Sequence, residues 1–285
     1  MLKQKQPCMP KDFTDQMGRK ITLPATPKRI VSIVPSQTEL LYDLGLAGKI
    51  AGITWFCIHP AHHFNATEKV GGTKKLNFDK IAALKPDLII GNKEENEKSQ
   101  IEALEKEYPV WMSDINTLED ALLMIKMFGE ITETGEKAHE ICGSIIDGFS
   151  KLNNSNIYPT RTAYLIWRKP FMAASSNTFI DEMMKQCGMV NVFKGFVPKN
   201  DDSESLRYPM FTLEELKELS PEIVMLSSEP FPFKDKHIKE IKDILPNADV
   251  LLVDGEMFSW YGSRLVHSVS YFDKLLDKFR IPALA

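Results

Sequence analysis

One stretch of the sequence decides the fold: residues 134–154 read TGEKAHEICGSIIDGFSKLNN. Its apolar side chains recur every three or four residues, a spacing that places them along one face of an α-helix. These side chains are Ala138, Ile141, Cys142, Ile145, Ile146, Phe149 and Leu152. We predict one long helix, capped by Thr134, that forms the only link between two halves of the chain. Gly143 and Gly148 are its expected points of flexibility.

The sequence on the two sides of this helix repeats one pattern. Residues 76–90 align without gaps onto residues 211–225. In both copies a short amphipathic helix ends before a proline, Pro86 or Pro221, and an acidic residue and a buried strand follow. Such units also recur by chance in α/β proteins, but a match in register over a whole unit favours a true repeat.

Short β-branched runs alternate with helical patterns along the rest of the chain. Residues 30–34 predict a buried strand that Pro35 ends, and Ser36 and Glu39 have capping-box spacing for the next helix. Thr212 and Glu215 have the same spacing in the second half. The alternation predicts an α/β fold with two lobes, each holding a central, mostly parallel sheet flanked by helices.

The predicted boundaries follow from the long helix and the repeat. They are residues 1–28 for an N-terminal lead-in, 29–133 for the N-terminal lobe, 134–154 for the connecting helix and 155–285 for the C-terminal lobe. The lead-in is expected to be irregular or to form a short edge hairpin.

The composition is that of a globular protein, with 43% hydrophobic and 26% charged residues. The formal net charge of −4 gives no reason to expect nucleic-acid binding. Every apolar run is far shorter than a membrane span, so no membrane insertion is expected. The first ten residues contain no apolar core, so they do not predict a signal peptide; we expect a cytoplasmic protein, or export that depends on sequence outside this chain.

The sequence contains few signals for catalysis. It has no Gly-x-Ser-x-Gly elbow, no phosphate-binding loop and no Gly-x-Gly-x-x-Gly motif. The four cysteines are widely spaced, which disfavours a disulfide framework or a cysteine-based zinc site. We therefore predict no catalytic residue and no intrinsic cofactor, and we favour binding over turnover.

Candidate binding residues lie where strands end, because ligands of parallel α/β sheets bind outside the carboxyl ends of the strands. The two lobes would face each other across a cleft at these ends. Aromatic side chains are frequent there: Trp55, Phe56, Trp167, Tyr208, Phe258, Trp260 and Tyr261. Such rings suit a large, flat or hydrophobic ligand, although each ring singly could equally pack beneath its loop. Residues 258–263 are too polar and glycine-rich for a core, so we predict that they face the ligand.

Polar side chains at the same strand ends complete the candidate ligand contacts. They are Thr73, Asn92, Arg168, Ser227, Glu256 and Arg264. His59, His62 and His63 form a further cluster, and imidazoles bind zinc, copper or iron. Pro60 breaks any helix there and no carboxylate is adjacent, so an ordinary surface loop is the better interpretation. His59 is the histidine that we expect to face the cleft, and it is only a weak metal candidate.

Two acidic residues occupy equivalent positions of the repeat. Asp79 and Glu214 fall in the first turns of equivalent helices. Acids at helix N-termini ordinarily stabilise the helix dipole by about 0.3–1 kcal/mol. Alternatively, two acids on two similar lobes could dock onto a partner that has two-fold symmetry.

Three segments resemble a known family. RIVSIVPSQTEL (residues 29–40), VGGT (70–73) and LKPDLII (84–90) resemble the helical-backbone substrate-binding proteins of ABC importers. The resemblance extends over about residues 29–280 and is nearest to the vitamin B12-binding members, with iron-siderophore and haem binders as relatives. It implies two α/β lobes, one long connecting helix, a shallow cleft and little closure on binding.

The resemblance also implies roles for individual residues. Asp79 and Glu214 match the acids that dock, one from each lobe, onto arginines of a dimeric permease. Phe56, Trp167 and Tyr208 match aromatic cleft positions of the B12-binding members, and Glu256 matches an acid. This chain departs from their pattern at Trp260, which replaces a basic residue, and at Thr73 and Asn92, which replace tryptophans.

We therefore expect a monomeric binding component of a metal-chelate importer. Its first expected ligand is cobalamin or a related corrinoid, and its second is a ferric siderophore or haem. The permease dimer is the expected protein partner, and the resemblance implies a periplasmic location. A cytoplasmic enzyme or cofactor-handling protein on the same fold is the competing hypothesis, and direct zinc or iron binding by the histidine loop is a third.

Overall fold

A computed structural model describes residues 10–153, 159–198 and 206–277. The chain divides into two compact units. Unit 1 contains the residues up to Ile115 together with Glu119–Gly143 and Tyr261–Arg264. Unit 2 contains Asn116–Leu118, Ser144–Trp260 and the residues from Leu265 onward.

The first half of the chain builds a hairpin and a parallel sheet. The strands of this half are β1 (Lys11–Thr14), β2 (Lys20–Leu23), β3 (Ile30–Ser32), β4 (Ile50–Ile53), β5 (Glu68–Lys69), β6 (Leu88–Asn92) and β7 (Val110–Ser113). Its helices are α1 (Pro35–Asp43), α2 (Ala61–Ala66), α3 (Phe78–Leu84), α4 (Lys98–Leu104), α5 (Leu118–Thr132) and α6 (Gly135–Asn153). The sheet has the strand order β5-β4-β3-β6-β7 with every pair parallel. Strands β1 and β2 form an antiparallel hairpin, the second of the two forms expected for the lead-in.

The second half of the chain builds a mixed sheet. Its strands are β8 (Thr160–Trp167), β9 (Phe171–Ala173), β10 (Met189–Asn191), β11 (Met210–Phe211), β12 (Ile223–Ser227) and β13 (Asp249–Val253). Its helices are α7 (Phe179–Gln186), α8 (Leu213–Leu219), α9 (Asp235–Lys242), α10 (Gly255–Ser259) and α11 (Leu265–Leu276). The order is β11-β9-β8-β12-β13, with β10 also paired to β8. Strands β8, β10, β12 and β13 run parallel, whereas β9 and β11 join antiparallel. The predicted α/β class, with helices flanking a mostly parallel sheet in each half, is confirmed.

The sequence repeat is a structural repeat. Helices α3 and α8 each span seven residues. Each ends at a residue in the left-handed region, Lys85 or Ser220, both with φ of 47°. In each case an arginine from the neighbouring strand caps the helix end. Arg29, just before β3, donates its Nε–H to the carbonyl of Leu84 at 2.6 Å, and Arg161 of β8 donates to the carbonyl of Leu219. This capping satisfies a carbonyl that the helix leaves unpaired.

The two predicted capping boxes have different outcomes. At α8 the prediction is confirmed, because Thr212 Oγ1 accepts from the N–H of Glu215 at 3.2 Å and the Glu215 carboxylate accepts from the N–H of Thr212 at 2.8 Å. At α1 it is wrong. Pro35 begins the helix, where its missing N–H costs nothing, and the preceding residue makes no side-chain cap. Ser36 is buried, and Glu39 forms an ion pair with Arg264 instead.

Helix α6 matches the predicted long helix, apart from Asn154, which lies outside the described residues. Most of its predicted apolar face is buried, but Ile146 is 47% exposed. A Cβ at Gly148 would lie 2.8 Å from the side chain of Val269 in α11, so this glycine permits close packing and is not a flexible point. The chain also passes between the units at residues 261–264, so α6 is not the only link.

Within the described ranges, the helices lack the combination of length and apolar character that a membrane span requires.

Candidate functional site

The segment that follows β4 exposes two aromatic side chains next to a buried cysteine. Trp55 and Phe56 are 57% and 58% exposed, whereas Cys57 is fully buried. The Cys57 sulfur lies 3.1 Å from both Thr38 Oγ1 and Thr54 Oγ1, and burial raises the pKa of this thiol. Cys57 therefore holds the segment while the neighbouring rings reach solvent. The ring of Phe56 lies against Gly72, where an added Cβ would be 3.2 Å from Phe56 Cε2.

The histidine cluster is partly helical. We expected Pro60 to exclude a helix, but α2 begins directly after it and carries His62 and His63. The His63 ring stacks on Tyr42 with centroids 4.3 Å apart, and burial, with a smaller effect of His62, lowers the pKa of His63. Across the described ranges, His, Cys, Asp and Glu side chains form no group of three that could hold a metal. His59 is half-buried in the loop before α2.

Asn92 is a turn-forming residue at the end of β6. Its Oδ1 accepts from the N–H groups of Glu94 and Glu95 at 2.8 and 3.1 Å, and its Nδ2 donates to Ser113 Oγ at 3.1 Å. The side chain is buried, so it shapes the loop and does not present a polar group to solvent. This turn precedes α4, which begins at Lys98. Thr73 is half-buried, and its carbonyl accepts from Asn96 Nδ2 at 3.1 Å.

The carboxyl end of β8 carries the exposed ring of unit 2. Trp167 is 39% exposed, and its ring meets the edge of Phe231 with centroids 5.9 Å apart. Arg168 donates two hydrogen bonds of 2.8 Å to the carboxylate of Glu240, and this pairing raises the Arg168 pKa and lowers that of Glu240. Tyr208 is half-buried, with the guanidinium of Arg207 5.7 Å from its ring centroid.

The prediction that residues 258–263 face the ligand is wrong, because all of them except the half-buried Ser259 are buried. Phe258 is fully buried, with its ring centroid 5.0 Å from that of Tyr164 and 4.7 Å from that of Phe272. The segment can be buried because Ser259 and Trp260 both donate hydrogen bonds to one carboxylate, that of Glu229. Phe258 and Trp260 therefore have little surface with which to contact a ligand in this structure, contrary to the prediction.

The side chain of Ser227 is also buried inside unit 2, where it forms hydrogen bonds. Its Oγ donates to the carbonyl of Glu229 at 2.6 Å and accepts from the hydroxyl of Tyr164 at 3.1 Å. It is buried, so the predicted polar contact to a ligand is not available from this side chain. Glu256, in the first turn of α10, is half-buried and is the acidic candidate that retains accessible surface.

Glu229 follows the end of β12 by two residues but is not among the predicted ligand contacts. Its Oε1 accepts from Ser259 Oγ at 2.7 Å and from Trp260 Nε1 at 3.0 Å. Burial is the main cause that raises its pKa; the charges of Glu256 and Asp254 act in the same direction, and the two hydrogen bonds oppose them. Its position directly after β12 was the signal that could have identified it.

Arg264 belongs to unit 1 and is neutralised there. Its Nε–H donates to Glu39 Oε2 at 2.8 Å, and its Nη2 donates to the other carboxylate oxygen. Both side chains are largely buried. The neighbouring Tyr261 donates its hydroxyl to Glu95 at 2.9 Å. Residues 261–264 are thus held to unit 1, and Arg264 does not offer a free guanidinium to a ligand.

Asp79 and Glu214 occupy matching places in the two copies of the repeat. Each lies in the first turn of its helix, α3 or α8, and each is exposed. Neither carboxylate forms a hydrogen bond or ion pair with any residue of the described ranges. By contrast, the next acid along α8, Glu215, completes the capping box.

Comparisons with known proteins agree on one family. The model of a family described as periplasmic binding protein matches residues 30–250. The chain is 26% identical over 209 residues to the vitamin B12-binding protein of Vibrio cholerae serotype O1, and the match covers 72% of each protein.

Two solved structures share the fold. The periplasmic vitamin B12 binding protein BtuF of Vibrio cholerae matches with a TM-score of 0.73 and 22% identity, over 89% of this chain and 98% of that chain. The periplasmic haem-binding protein HutB of Vibrio cholerae matches with a TM-score of 0.71 and 19% identity, over 87% and 98% of the two chains.

Proposed function

The chain belongs to the periplasmic binding protein family, and from this premise we propose that it binds cobalamin or a related corrinoid and delivers it to the permease of an ABC importer. As a member of this family it is a binding protein, so the competing hypothesis of an enzyme on the same fold is wrong. The family's location is periplasmic, and export of this chain is part of the proposal.

The observation that carries the proposal is a pair of exposed rings, one next to a strand end in each unit. Phe56 follows β4 in unit 1, and Trp167 ends β8 in unit 2. Large aromatic faces that remain in water are favourable sites for an apolar, flat ligand, because binding removes their surface from water. A corrin ring offers such a surface. The similarity to the vitamin B12-binding protein of Vibrio cholerae supports the same ligand class.

The arginines near the strand ends support a ligand without net negative charge. Arg168 is paired with Glu240 in unit 2, and Arg264 is paired with Glu39 in unit 1. Carboxylate-bearing ligands such as haem, and anionic ferric chelates, are best bound by guanidinium groups that are free to pair with them. Cyanocobalamin is neutral and requires no such partner. The half-buried acid Glu256 would also oppose an anion at this face.

A haem or ferric-siderophore ligand is the second candidate function. The phenol of Tyr208, before β11, and the imidazole of His59, in the loop before α2, are both half-buried, and both groups can bind ferric iron. The fold shared with the haem-binding HutB is compatible with this alternative.

Asp79 and Glu214 are the proposed contacts to the permease. Two exposed acids at matching positions of a structural repeat suit a partner that presents two equivalent basic sites. Their carboxylates have no partner among the described residues, so docking would not require an existing ion pair to break.

A visible-spectrum titration tests the ligand. Purified protein is titrated at micromolar concentration with cyanocobalamin, hemin, a ferric hydroxamate and a ferric catecholate, with serum albumin as the control for non-specific uptake. The proposal predicts a saturable change in the corrinoid bands at one ligand per chain. A change with hemin or a ferric chelate alone would replace the proposal by the alternative, and a change with none of them would contradict both.

A further inference from the structure

We propose that His237, in the first turn of α9, is a positioning residue for the ring of Trp167, and that protonation of His237 weakens ligand binding at that ring. This inference rests on the proposed function, because Trp167 is one of the two exposed rings that support it. His237 itself is only 5% exposed, so it has almost no surface for a ligand. Its effect on a ligand would pass through the side chains that it contacts.

A chain of ring contacts joins His237 to Trp167. The centroid of the imidazole lies 5.5 Å from that of Phe231, and the Phe231 ring meets that of Trp167 in an edge contact at 5.9 Å. Phe233 contacts both His237 and Phe231, with centroids 5.4 and 4.8 Å apart. The backbone N–H of Phe231 also donates to the carbonyl of Ile166, the residue before Trp167, at 3.3 Å. Closely packed rings cannot shift independently, so a change at His237 is expected to displace the Trp167 ring.

An ion pair forms a second connection between α9 and the end of β8. Arg168 follows Trp167 directly and donates two hydrogen bonds of 2.8 Å to the carboxylate of Glu240. Glu240 lies in α9, three residues after His237. A rearrangement at the start of α9 would therefore affect both the ring that supports Trp167 and the ion pair beside it.

The neutral form of His237 caps α9. Its Nδ1 accepts a hydrogen bond from the backbone N–H of Lys234 at 2.9 Å, and its own backbone N–H donates to the carbonyl of Lys234 at 2.8 Å. A glutamate or glutamine at the same helical position commonly accepts from the N-cap N–H in this way. Because Nδ1 accepts, the proton of the neutral ring lies on Nε2. A second proton, on Nδ1, would replace this hydrogen bond by two donors that face each other.

The surroundings of His237 oppose this protonation. Burial is the main cause that lowers the pKa of His237; the positive charges of Arg168, Lys236 and Lys234 act in the same direction, and the negative charge of Glu240 opposes them. The positive end of the helix dipole also disfavours a cation in the first turn. The cap is therefore intact above about pH 6.5, the ordinary pKa of histidine, and is lost as pH falls through the lowered pKa.

Proton–nitrogen NMR of the ligand-free chain tests the connection between His237 and Trp167. The chain has four tryptophans, so the indole signal of Trp167 is assigned with Trp167→Phe. We expect this signal to shift on acidification, with a midpoint below about pH 6.5. The affinity for cyanocobalamin, measured by calorimetry over the same pH range, should fall at least threefold as the signal shifts.

His237→Gln is the matched variant, because glutamine keeps an acceptor for the N–H of Lys234 and does not titrate. It should remove both the shift of the Trp167 signal and the fall in affinity. Phe231→Leu should leave the titration of His237 in place and reduce the shift of the Trp167 signal at least twofold. His139→Gln, at an exposed histidine of α6, is the control and should retain both effects of pH.

A Trp167 signal that does not respond to acid in the wild-type protein would overturn the inference, and so would an unchanged response in His237→Gln. Equal affinity for cyanocobalamin at every pH would overturn its link to ligand binding. The NMR measurement requires no ligand, so it tests the positioning role separately from the proposed function. Absence of cyanocobalamin binding at every pH, together with the expected Trp167 response, would contradict the proposed function and retain the positioning of the ring.

Discussion

The indole Nε1–H of Trp260 donates a hydrogen bond to the Oε1 of Glu229 at 3.0 Å. This bond holds the indole ring of Trp260 in the interior, although the sequence places Trp260 among the candidate ligand contacts. The same Oε1 accepts from Ser259, so one carboxylate satisfies two donors of a segment that would otherwise bury them unpaired. Glu229 is therefore a structural residue whose environment disfavours its charge.

Glu229→Gln should change the pH dependence of stability. The folded-state pKa of Glu229 is raised, chiefly by burial, so its stabilising contribution is complete at low pH and is lost as pH rises through the raised pKa. Glutamine keeps an oxygen acceptor and removes the titration. We expect urea unfolding to show that the free energy of unfolding of the variant rises relative to that of wild type as pH increases above about 4.3, the ordinary pKa of glutamate.

The control for this series is Glu107→Gln, which changes an exposed glutamate. Its stability difference from wild type should stay constant over the same pH range. A flat difference for Glu229→Gln as well would show that burial does not perturb the Glu229 carboxyl.

Gly148→Ala should destabilise the protein, because the new methyl would lie 2.8 Å from Val269 Cγ2. Overpacking of this kind costs about 1–3 kcal/mol. Gly143→Ala in the same helix meets open space and should stabilise by about 0.5–1 kcal/mol. Thermal unfolding of both variants and of Gly148→Ala/Val269→Ala distinguishes the two effects. If the double variant gained nothing over Gly148→Ala, the close contact would not be the cause.

Arg161→Lys should weaken the helix cap of the second repeat. Arg161 donates through Nη2 to the carbonyl of Leu219 and through Nε to that of Ser220 at 3.3 Å, a fork that lysine cannot reproduce. We expect a loss of about 0.5–1.5 kcal/mol in unfolding free energy. Arg29→Lys tests the equivalent cap at Leu84. If both lysine variants were as stable as wild type, a positive charge alone would be sufficient to cap the helix, without the geometry of the guanidinium.

Breaking the Arg264–Glu39 pair should be costly for folding and nearly neutral for ligand affinity. Arg264→Ala leaves the largely buried Glu39 without its partner, and such losses cost about 3–5 kcal/mol. The double variant Arg264→Ala/Glu39→Ala should recover part of that stability in urea unfolding. A large loss of corrinoid affinity in a folded Arg264→Lys variant would instead return Arg264 to the set of ligand contacts.

The sequence predicts best what local spacing controls. Spacings of three or four residues predict the long helix and the capping box of Thr212. The repeat of residues 76–90 and 211–225 is likewise a pattern of neighbouring residues within each copy. The errors involve partners that are distant in sequence. Glu39 pairs with a residue 225 positions away, which no local spacing could indicate.

Burial of the segment at residues 258–260 has the same origin. The local composition of this segment predicts that it is too polar for a core. That composition does not reveal that Glu229 accepts a hydrogen bond from Trp260 or that the ring of Tyr164 packs against Phe258. Phe56, His59, Thr73, Trp167, Arg168, Tyr208 and Glu256 keep at least some exposed surface and stay predicted ligand contacts.

The central claim, that exposed rings at the strand ends bind a corrinoid, is tested most directly by calorimetry with cyanocobalamin. The proteins to compare are wild type, Phe56→Ala/Trp167→Ala, and Val197→Ala as a control at another exposed apolar residue. We predict one-to-one binding by wild type and by the control, with affinity at least tenfold weaker in the double variant, a loss of about 1.4 kcal/mol. Absence of binding by wild type, or equal affinity in all three folded proteins, would contradict the claim.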